Sequence, residues 1–381
     1  MKKFLEGSKA IAETIKLCRP EVVAVYPITP QTHIMENLAK LKAEGQADFQ
    51  YIKPESEMAA ISAVLGATAA GARAYTASAS QGILLMTEVL YNIGGMRLPV
   101  VMTCANRAVS APINIWNDQQ DAMILRDAGW IMLFAENTQE ACDLHFMAYK
   151  IAEETNLPVM VCADGLALTH TFEPVEIREQ KLVDKFLPKR KLSAGQYLDP
   201  KNPATFGGMS TPESYMPTRE KIHEDLLSGK KTIQKISSEF NKIFSIKNTR
   251  PGLVEYSGPP RPEILLVAMG SVLGTIRHAL SHGPTGQKKV GVLKIKCFRP
   301  FPGEEIAKII LKIKPKKISV LDRAISLGHG GILATEIKNI CPKIKISSFV
   351  VGLGGKDITP QNIEQIVNLS FKRKSCLAEF I

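Results

Sequence analysis

Between residues 20 and 163 short apolar runs alternate with helical patterns, and that alternation leaves the chain few folds to choose from. The runs are Val22–Tyr26, Phe49–Lys53, Arg73–Ala77, Leu98–Cys104, Trp130–Phe134 and Pro158–Cys162. Helical patterns lie between them, at about 31–44, 56–70, 81–93, 119–127 and 138–154. Strands joined by helices run parallel, so this rhythm implies a parallel sheet covered on both faces. A second α/β unit starts near Pro262. Its predicted strands are Ile264–Ala268, Val290–Ile295, Ile318–Leu321 and Ile344–Val350, with helices at 303–313 and 331–340. No internal repeat is visible.

The stretch from about 171 to 255 breaks the rhythm. KFLPKRK, YLDPKNPATFGGM and STPESYMPTR all read as loop. A short amphipathic helix is expected near 219–243, inside an extended connection that wraps on a neighbour. The chain thus divides at 1–170, 171–255 and 256–381. The final residues FKRKSCLAEFI read as a short helix or a frayed tail.

A chain of 381 residues that is 45% hydrophobic can bury a full core. No apolar run reaches the roughly 18 residues that a membrane span needs. The N-terminal MKKFLEGSKA carries Glu6 and lacks an apolar centre, so it does not read as a secretory leader. A cytoplasmic protein without a membrane partner is expected. Seven cysteines at 18, 104, 142, 162, 297, 341 and 376 form no Cys-x-x-Cys pair. They read as buried free thiols rather than a disulfide framework, a zinc site or iron–sulfur ligands.

Charge is uneven along the chain. Residues 1–175 hold 13 Lys/Arg against 19 Asp/Glu, residues 176–250 hold 15 against 9, and residues 251–381 hold 20 against 9. The spread of the lysines, without an RNA-binding motif or interleaved aromatics, argues against nucleic acid. An acidic protein partner or a plain solvated surface remains for the basic half.

Three segments at predicted strand ends carry candidate chemistry. Tyr26-Pro27-Ile28-Thr29-Pro30 turns from strand to helix through two prolines that bracket Thr29. Such a turn is either an ordinary stiff loop or a ligand site at the carboxyl end of a strand. Pro54-Glu55-Ser56-Glu57 opens a helix rich in small residues, which approaches other backbone closely. Glu57 is either a first-turn acid beside a Ser56 cap or a functional carboxylate. Arg107 follows the strand Leu98–Thr103 and suits a small carboxylate, or an ordinary salt bridge. The segment Asn114–Asp121 is a polar loop with one aromatic. Thr29, Glu57 and Arg107 on one rim make an active-site hypothesis.

These residues carry a resemblance. YPITPQT at 26–32, PESEMAAISAVLGATAAGARAYTASASQG at 54–82 and MRLPVVMTCANRAVSAPINIWNDQQDAMILRDAGW at 96–130 resemble the alpha subunits of the pyruvate:ferredoxin oxidoreductases (pyruvate synthases), within the 2-oxoacid:ferredoxin oxidoreductase family. VAMGSVLGT, KIKCFRPFP, LDRAISLGHGG and VVGLGGKDIT extend the likeness through the second half. The resemblance implies a thiamine diphosphate enzyme with a pyrimidine-binding α/β domain at 1–170 and a transketolase C-terminal-like α/β domain at 256–381. It implies that Glu57 contacts N1′ of the cofactor's aminopyrimidine. It also implies that Thr29 and Arg107 bind the 2-oxoacid.

The resemblance further implies partners. The family's diphosphate and Mg²⁺ motif, Gly-Asp-Gly followed by Asn, has only Ala163-Asp164-Gly165 as its nearest match here, read as a strand-end loop. A beta subunit is expected to hold the diphosphate and Mg²⁺. Gamma and ferredoxin-like delta subunits are expected to handle coenzyme A and iron–sulfur clusters, with ferredoxin as acceptor. The expected reaction takes pyruvate, coenzyme A and oxidised ferredoxin to acetyl-CoA, CO2 and reduced ferredoxin. The alternatives are another 2-oxoacid (2-oxoisovalerate or 2-oxoglutarate) or a non-catalytic ferredoxin-docking or assembly subunit. The segment Gly328-His329-Gly330-Gly331 reads either as an anion-binding turn or as a close-packed one.

Overall fold

A computed structural model describes residues 2–193, 195–247, 251–283, 289–372 and 378–381. The first unit runs β1 (Lys2–Glu6), α1 (Gly7–Leu17), β2 (Val22–Ala24), α2 (Thr32–Ala43), β3 (Gln50–Ile52), α3 (Glu57–Ala69) and β4 (Ala74–Ser78). It continues through α4 (Ser80–Met96), β5 (Val101–Asn106), α5 (Gln120–Ile124), β6 (Ile131–Phe134), α6 (Thr138–Thr155), β7 (Val159–Asp164) and β8 (Phe172–Glu176). Six strands pair in parallel in the order β3-β2-β4-β5-β7-β6. Strands β4 to β7 are buried at every residue, which is why they read as continuous apolar runs.

Helices cover both faces. Ala60, Ile61 and Val64 of α3 and Ile83, Met86 and Leu90 of α4 pack on one face. Ile11 and Ile15 of α1, Ile34 and Leu38 of α2, and Phe146 and Tyr149 of α6 pack on the other. The antiparallel pair of β1 with β8 was not foreseen. Its pairing, Lys2 with Glu176 through Glu6 with Phe172, joins segments more than 160 residues apart, and its strands are largely exposed.

The connection differs most from expectation. After α7 (Gln180–Phe186) comes α8 (Pro212–Ile243), a helix of 32 residues rather than a short one. Its start is fixed by reciprocal Thr211 and Ser214 caps, with Pro212 where a missing N–H costs nothing. Pro217 lies inside the helix, and the two prolines gave the segment its loop-like reading. Phe240 and Phe244 stack on Phe146 of α6 at centroid distances of 6.2 Å, and Phe186 meets Phe240 edge-on at 5.1 Å. The second half of α8 therefore packs on this chain's own first unit.

The second unit comprises β9 (Val254–Ser257), β10 (Ile264–Ala268), α9 (Val272–His282), β11 (Val290–Ile295), β12 (Cys297–Arg299), α10 (Gly303–Ile313) and β13 (Lys317–Asp322). Then follow β14 (Ile325–Ser326), β15 (Gly330–Gly331), α11 (Ile332–Ile340), β16 (Lys345–Val350), α12 (Pro360–Lys372) and β17 (Glu379–Phe380). Its sheet has the order β17-β16-β13-β10-β11-β9, parallel except for β9. Strand β12 leaves this unit and pairs antiparallel with β6, so the second unit adds an edge strand to the first sheet.

Six cysteines are free thiols, five of them buried, and Cys376 lies outside the described residues. The tail FKRKSCLAEFI supplies the end of α12 and then β17, with 373–377 outside the described residues. Among the described residues no helix is long and apolar enough to cross a membrane.

Candidate active site

The strand order β3-β2-β4-β5 sets four carboxyl ends side by side. The chain leaving them carries Glu57, Thr29, Ser80 and Arg107 in turn. In a parallel sheet this edge is where loops and helix N-termini converge on a ligand.

Glu57 is the first residue of α3. Ser56 caps the helix, its Oγ accepting from the Ala59 amide at 3.1 Å, so the capping role belongs to the serine and leaves the glutamate side chain free of it. Glu57 is 8% exposed and has no side-chain hydrogen bond or ion pair among the described residues. Its carboxylate oxygens are not among the fully buried unpartnered atoms, so a donor from outside the chain can reach them. The side chain lies against Gly82 of α4. A Cβ at residue 82 would stand 2.8 Å from Glu57 Oε1 and 2.9 Å from its Cγ, and would overlap Ser78 Oγ. Ser78 Oγ is itself buried without a partner. This hollow, made by a missing side chain and holding unpartnered polar atoms, fits a ring nitrogen that shares a proton with the carboxylate, as an aminopyrimidine's can.

Arg107 follows β5 and is 9% exposed. Its Nε donates to Asn114 O at 2.7 Å and its Nη1 to Thr29 O at 3.0 Å. Both acceptors are neutral carbonyls, and Arg107 forms no salt bridge among the described residues. Burial pushes its guanidinium below the ordinary value, with the nearby Asp121 carboxylate opposing that shift. A largely buried guanidinium with no direct ion pair is suited to receive an anion. Thr29 and Arg107 are thus in direct contact, through the threonine's carbonyl rather than its hydroxyl. The Thr29 side chain is exposed on the rim. The turn rests on Gly165, where a Cβ would stand 2.5 Å from Asn106 O and clash with Pro30.

Ser80 joins the two halves of the rim. Its Oγ donates to Ala108 O at 2.5 Å, beside Arg107, while Gly82 two residues on faces Glu57. Asp121 organises the backbone between them. Its carboxylate accepts from the amides of Ser80, Arg107 and Ala122 and from Asn106 Nδ2, all at 2.8–2.9 Å. Burial nevertheless pushes its pKa up to about 6.

The second unit clamps the polar loop 114–121 from behind. Asn114 Nδ2 donates to Gly354 O at 3.0 Å, Gly354 N to Asp118 Oδ2 at 3.0 Å, and Gly355 N to Asn117 O at 2.9 Å. Asn114 thereby links the Gly354 turn to Arg107 Nε. Asp164, in the nearest match to a diphosphate motif, accepts from Arg323 Nη1 at 2.6 Å, from Ser271 N at 2.7 Å and from Ser271 Oγ at 2.5 Å. Its carboxylate is used to tie the two units together. In the segment 328–331 the structure makes Gly331 close-packed and leaves Gly328 open: α11's amides of Leu333 and Ala334 donate to Asp322, and Gly331 has no room for a Cβ beside that carboxylate, whereas a Cβ at Gly328 would meet nothing.

Sequence reasoning missed Ser78, Gly82, Asn114 and Asp121. Asn114 and Asp121 lay at the two ends of a segment already marked as polar, and that was the available signal. Gly82 gave none, because its role is space left for a residue 25 positions earlier.

The family "Pyruvate flavodoxin/ferredoxin oxidoreductase, thiamine diP-bdg" matches residues 13–238, and "Pyruvate:ferredoxin oxidoreductase core domain II" matches residues 262–363. The chain is 47% identical over 373 residues to pyruvate synthase subunit PorA of Methanocaldococcus jannaschii, covering 96% of this chain and 94% of that one. It is 42% identical to the PorA subunit of Pyrococcus furiosus, covering 98% and 94%. It is 40% identical to ketoisovalerate oxidoreductase subunit VorA of Pyrococcus horikoshii, covering 96% and 93%. Among solved structures, the 2-oxoglutarate:ferredoxin oxidoreductase of Magnetococcus marinus superposes with a TM-score of 0.72 at 20% identity, over 97% of this chain and 65% of that one. That likeness concerns the fold. On the match of family and relatives over nearly its whole length, the chain belongs to the pyruvate:ferredoxin oxidoreductase family and carries that family's thiamine diphosphate-binding domain.

Proposed function

We propose that this chain is the alpha subunit of a complex that converts pyruvate, coenzyme A and oxidised ferredoxin to acetyl-CoA, CO2 and reduced ferredoxin. The observation that carries the reading is the pairing on one rim of an unpartnered carboxylate, Glu57, with an unpaired guanidinium, Arg107. Thiamine diphosphate, when bound, supplies the electron sink for decarboxylation. Glu57 receives the N1′ side of the aminopyrimidine and holds the proton shared there. Arg107 receives the 2-oxoacid carboxylate, with Thr29 at the edge of the same pocket. Its hold is tempered by two carbonyl bonds, which suits a group whose charge is lost in the reaction. Gly82 and Ser78 keep the space beside Glu57 open, and Asp121 fixes the backbone between the two charges.

The use of Asp164 as a tie to Arg323 and Ser271 supports a diphosphate and Mg²⁺ site on a beta subunit. Gamma and ferredoxin-like delta subunits complete the proposed complex. The free, buried thiols favour a reducing, cytoplasmic setting. The PorA relatives favour pyruvate, whereas the 40% identity to a VorA subunit supports 2-oxoisovalerate as the second reading.

Glu57→Gln in the reconstituted complex tests the assignment. It keeps the shape and removes the proton acceptor, so turnover falls by roughly 100-fold or more while the KM for the oxoacid holds. Undiminished turnover would remove Glu57 from the mechanism.

A further inference from the structure

Beside the Thr29 turn, three side chains converge that the proposed reaction does not use. Glu6 ends β1, His33 is the second residue of α2, and His170 lies in the turn between β7 and β8. One ligand atom from each lies within 4.8 Å of the others. His33 Nδ1 stands 2.6 Å from Glu6 Oε1, and the His33 and His170 rings face each other at a centroid distance of 4.4 Å. We propose that Glu6, His33 and His170 form a binding site for a divalent transition metal that pins the β1–β8 strand pair to the base of the Thr29 turn.

Two imidazoles and one carboxylate are a donor set for zinc, cobalt or nickel, whereas magnesium and calcium prefer all-oxygen cages. A tetrahedral centre with bonds of about 2.0–2.1 Å keeps its ligand atoms roughly 3.4 Å apart. The present separations, from 2.6 Å to at most 4.8 Å, bracket that figure, so side-chain adjustments of about an ångström close the site. A proton now bridges His33 and Glu6, and metal would displace it. Thr169 Oγ1 bonds His170 Nδ1 at 2.8 Å, which orients that ring as an outer-shell partner does. The His33 side chain is 43% exposed, which leaves an entry path and room for water in the remaining position.

The location gives the site a consequence. His33 follows Pro30 by three residues. His170 follows Gly165, the glycine on which Pro30 packs, by five. A metal there would stitch both sides of the turn that presents Thr29.

Cobalt titration of the chelator-stripped, full-length chain is the test. One equivalent of Co²⁺ should bind with visible ligand-field bands and raise the melting temperature. Zn²⁺ should displace it, and Mg²⁺ should not. His33→Asn and His170→Asn should each weaken binding by at least about tenfold, because losing even an outer-shell partner costs 10- to 100-fold. Metal-free melts of each variant check that the fold survives, and Glu6→Gln replaces whichever variant fails to fold. Absence of saturable binding, thiolate-type bands, or binding that persists in the histidine variants would each overturn the proposal.

Discussion

Gly82→Ala is the substitution whose outcome the geometry determines most sharply. The added methyl would stand 2.8 Å from Glu57 Oε1 and 2.9 Å from Glu57 Cγ, closer than carbon atoms settle, and would overlap Ser78 Oγ. Something must move. Both obstructing groups are side chains, and the longer of them is Glu57, so the least costly relief swings that carboxylate out of its hollow. Stability should change little, because alanine gains up to about 1 kcal/mol of helix propensity over glycine, which offsets part of the strain. Function should not survive so well. A hydrogen bond to a charged group contributes about 1.5–3 kcal/mol, so displacing Glu57 should cost roughly 10- to 100-fold in cofactor affinity or turnover. The assay is thiamine diphosphate titration of the reconstituted complex against activity, alongside a melt of the chain. Unchanged affinity and turnover in Gly82→Ala would refute the idea that this space exists for Glu57 and its ligand.

The tie between the units makes a second expectation. Asp164→Asn leaves Arg323 buried without its carboxylate, and removing one partner of a buried pair typically costs about 3–5 kcal/mol, so the melt should fall by several degrees. An unchanged melt would show that the pair contributes nothing to stability. Asp322 makes a third. Burial pushes its pKa up to about 7 in the folded chain, against about 3.9 unfolded. Its contribution to stability is therefore present below about pH 4 and is lost as the pH rises toward 7, at up to about 1.4 kcal/mol per unit. Asp322→Asn should flatten that slope in pH-dependent unfolding, and an unaltered slope would assign the pH dependence to other groups.

The sheet was legible because β4 to β7 are buried on both faces and so appear as unbroken apolar runs. The β1–β8 pair was not, because Lys2–Glu6 is mostly exposed and its partner lies at 172–176, beyond the reach of local pattern. Helix α8 was shortened by its prolines, although Pro212 sits at the one helical position that tolerates it. Strand β12 was invisible for another reason: three residues before Pro300 carry no periodicity, and their place is set by the edge of β6. At the site, Thr29, Glu57 and Arg107 could be named because strand ends announce themselves. The contacts that give them meaning could not. Arg107 rests on the carbonyl of Thr29, and a backbone acceptor leaves no trace in residue identity. Ala163-Asp164-Gly165 read as a strand-end loop, and Asp164's partner Arg323 lies 159 residues away.

The most direct measurement is coenzyme A-dependent viologen reduction by the anaerobically purified complex, with pyruvate, 2-oxoisovalerate and 2-oxoglutarate in parallel, for the parent and Arg107→Ala. Pyruvate should give the highest kcat/KM. The variant should lose roughly 10- to 100-fold of it, chiefly through KM, as expected when a charged hydrogen-bond partner is removed. Preference for another oxoacid would contradict the substrate assignment, and an unaffected Arg107→Ala variant would contradict the site itself.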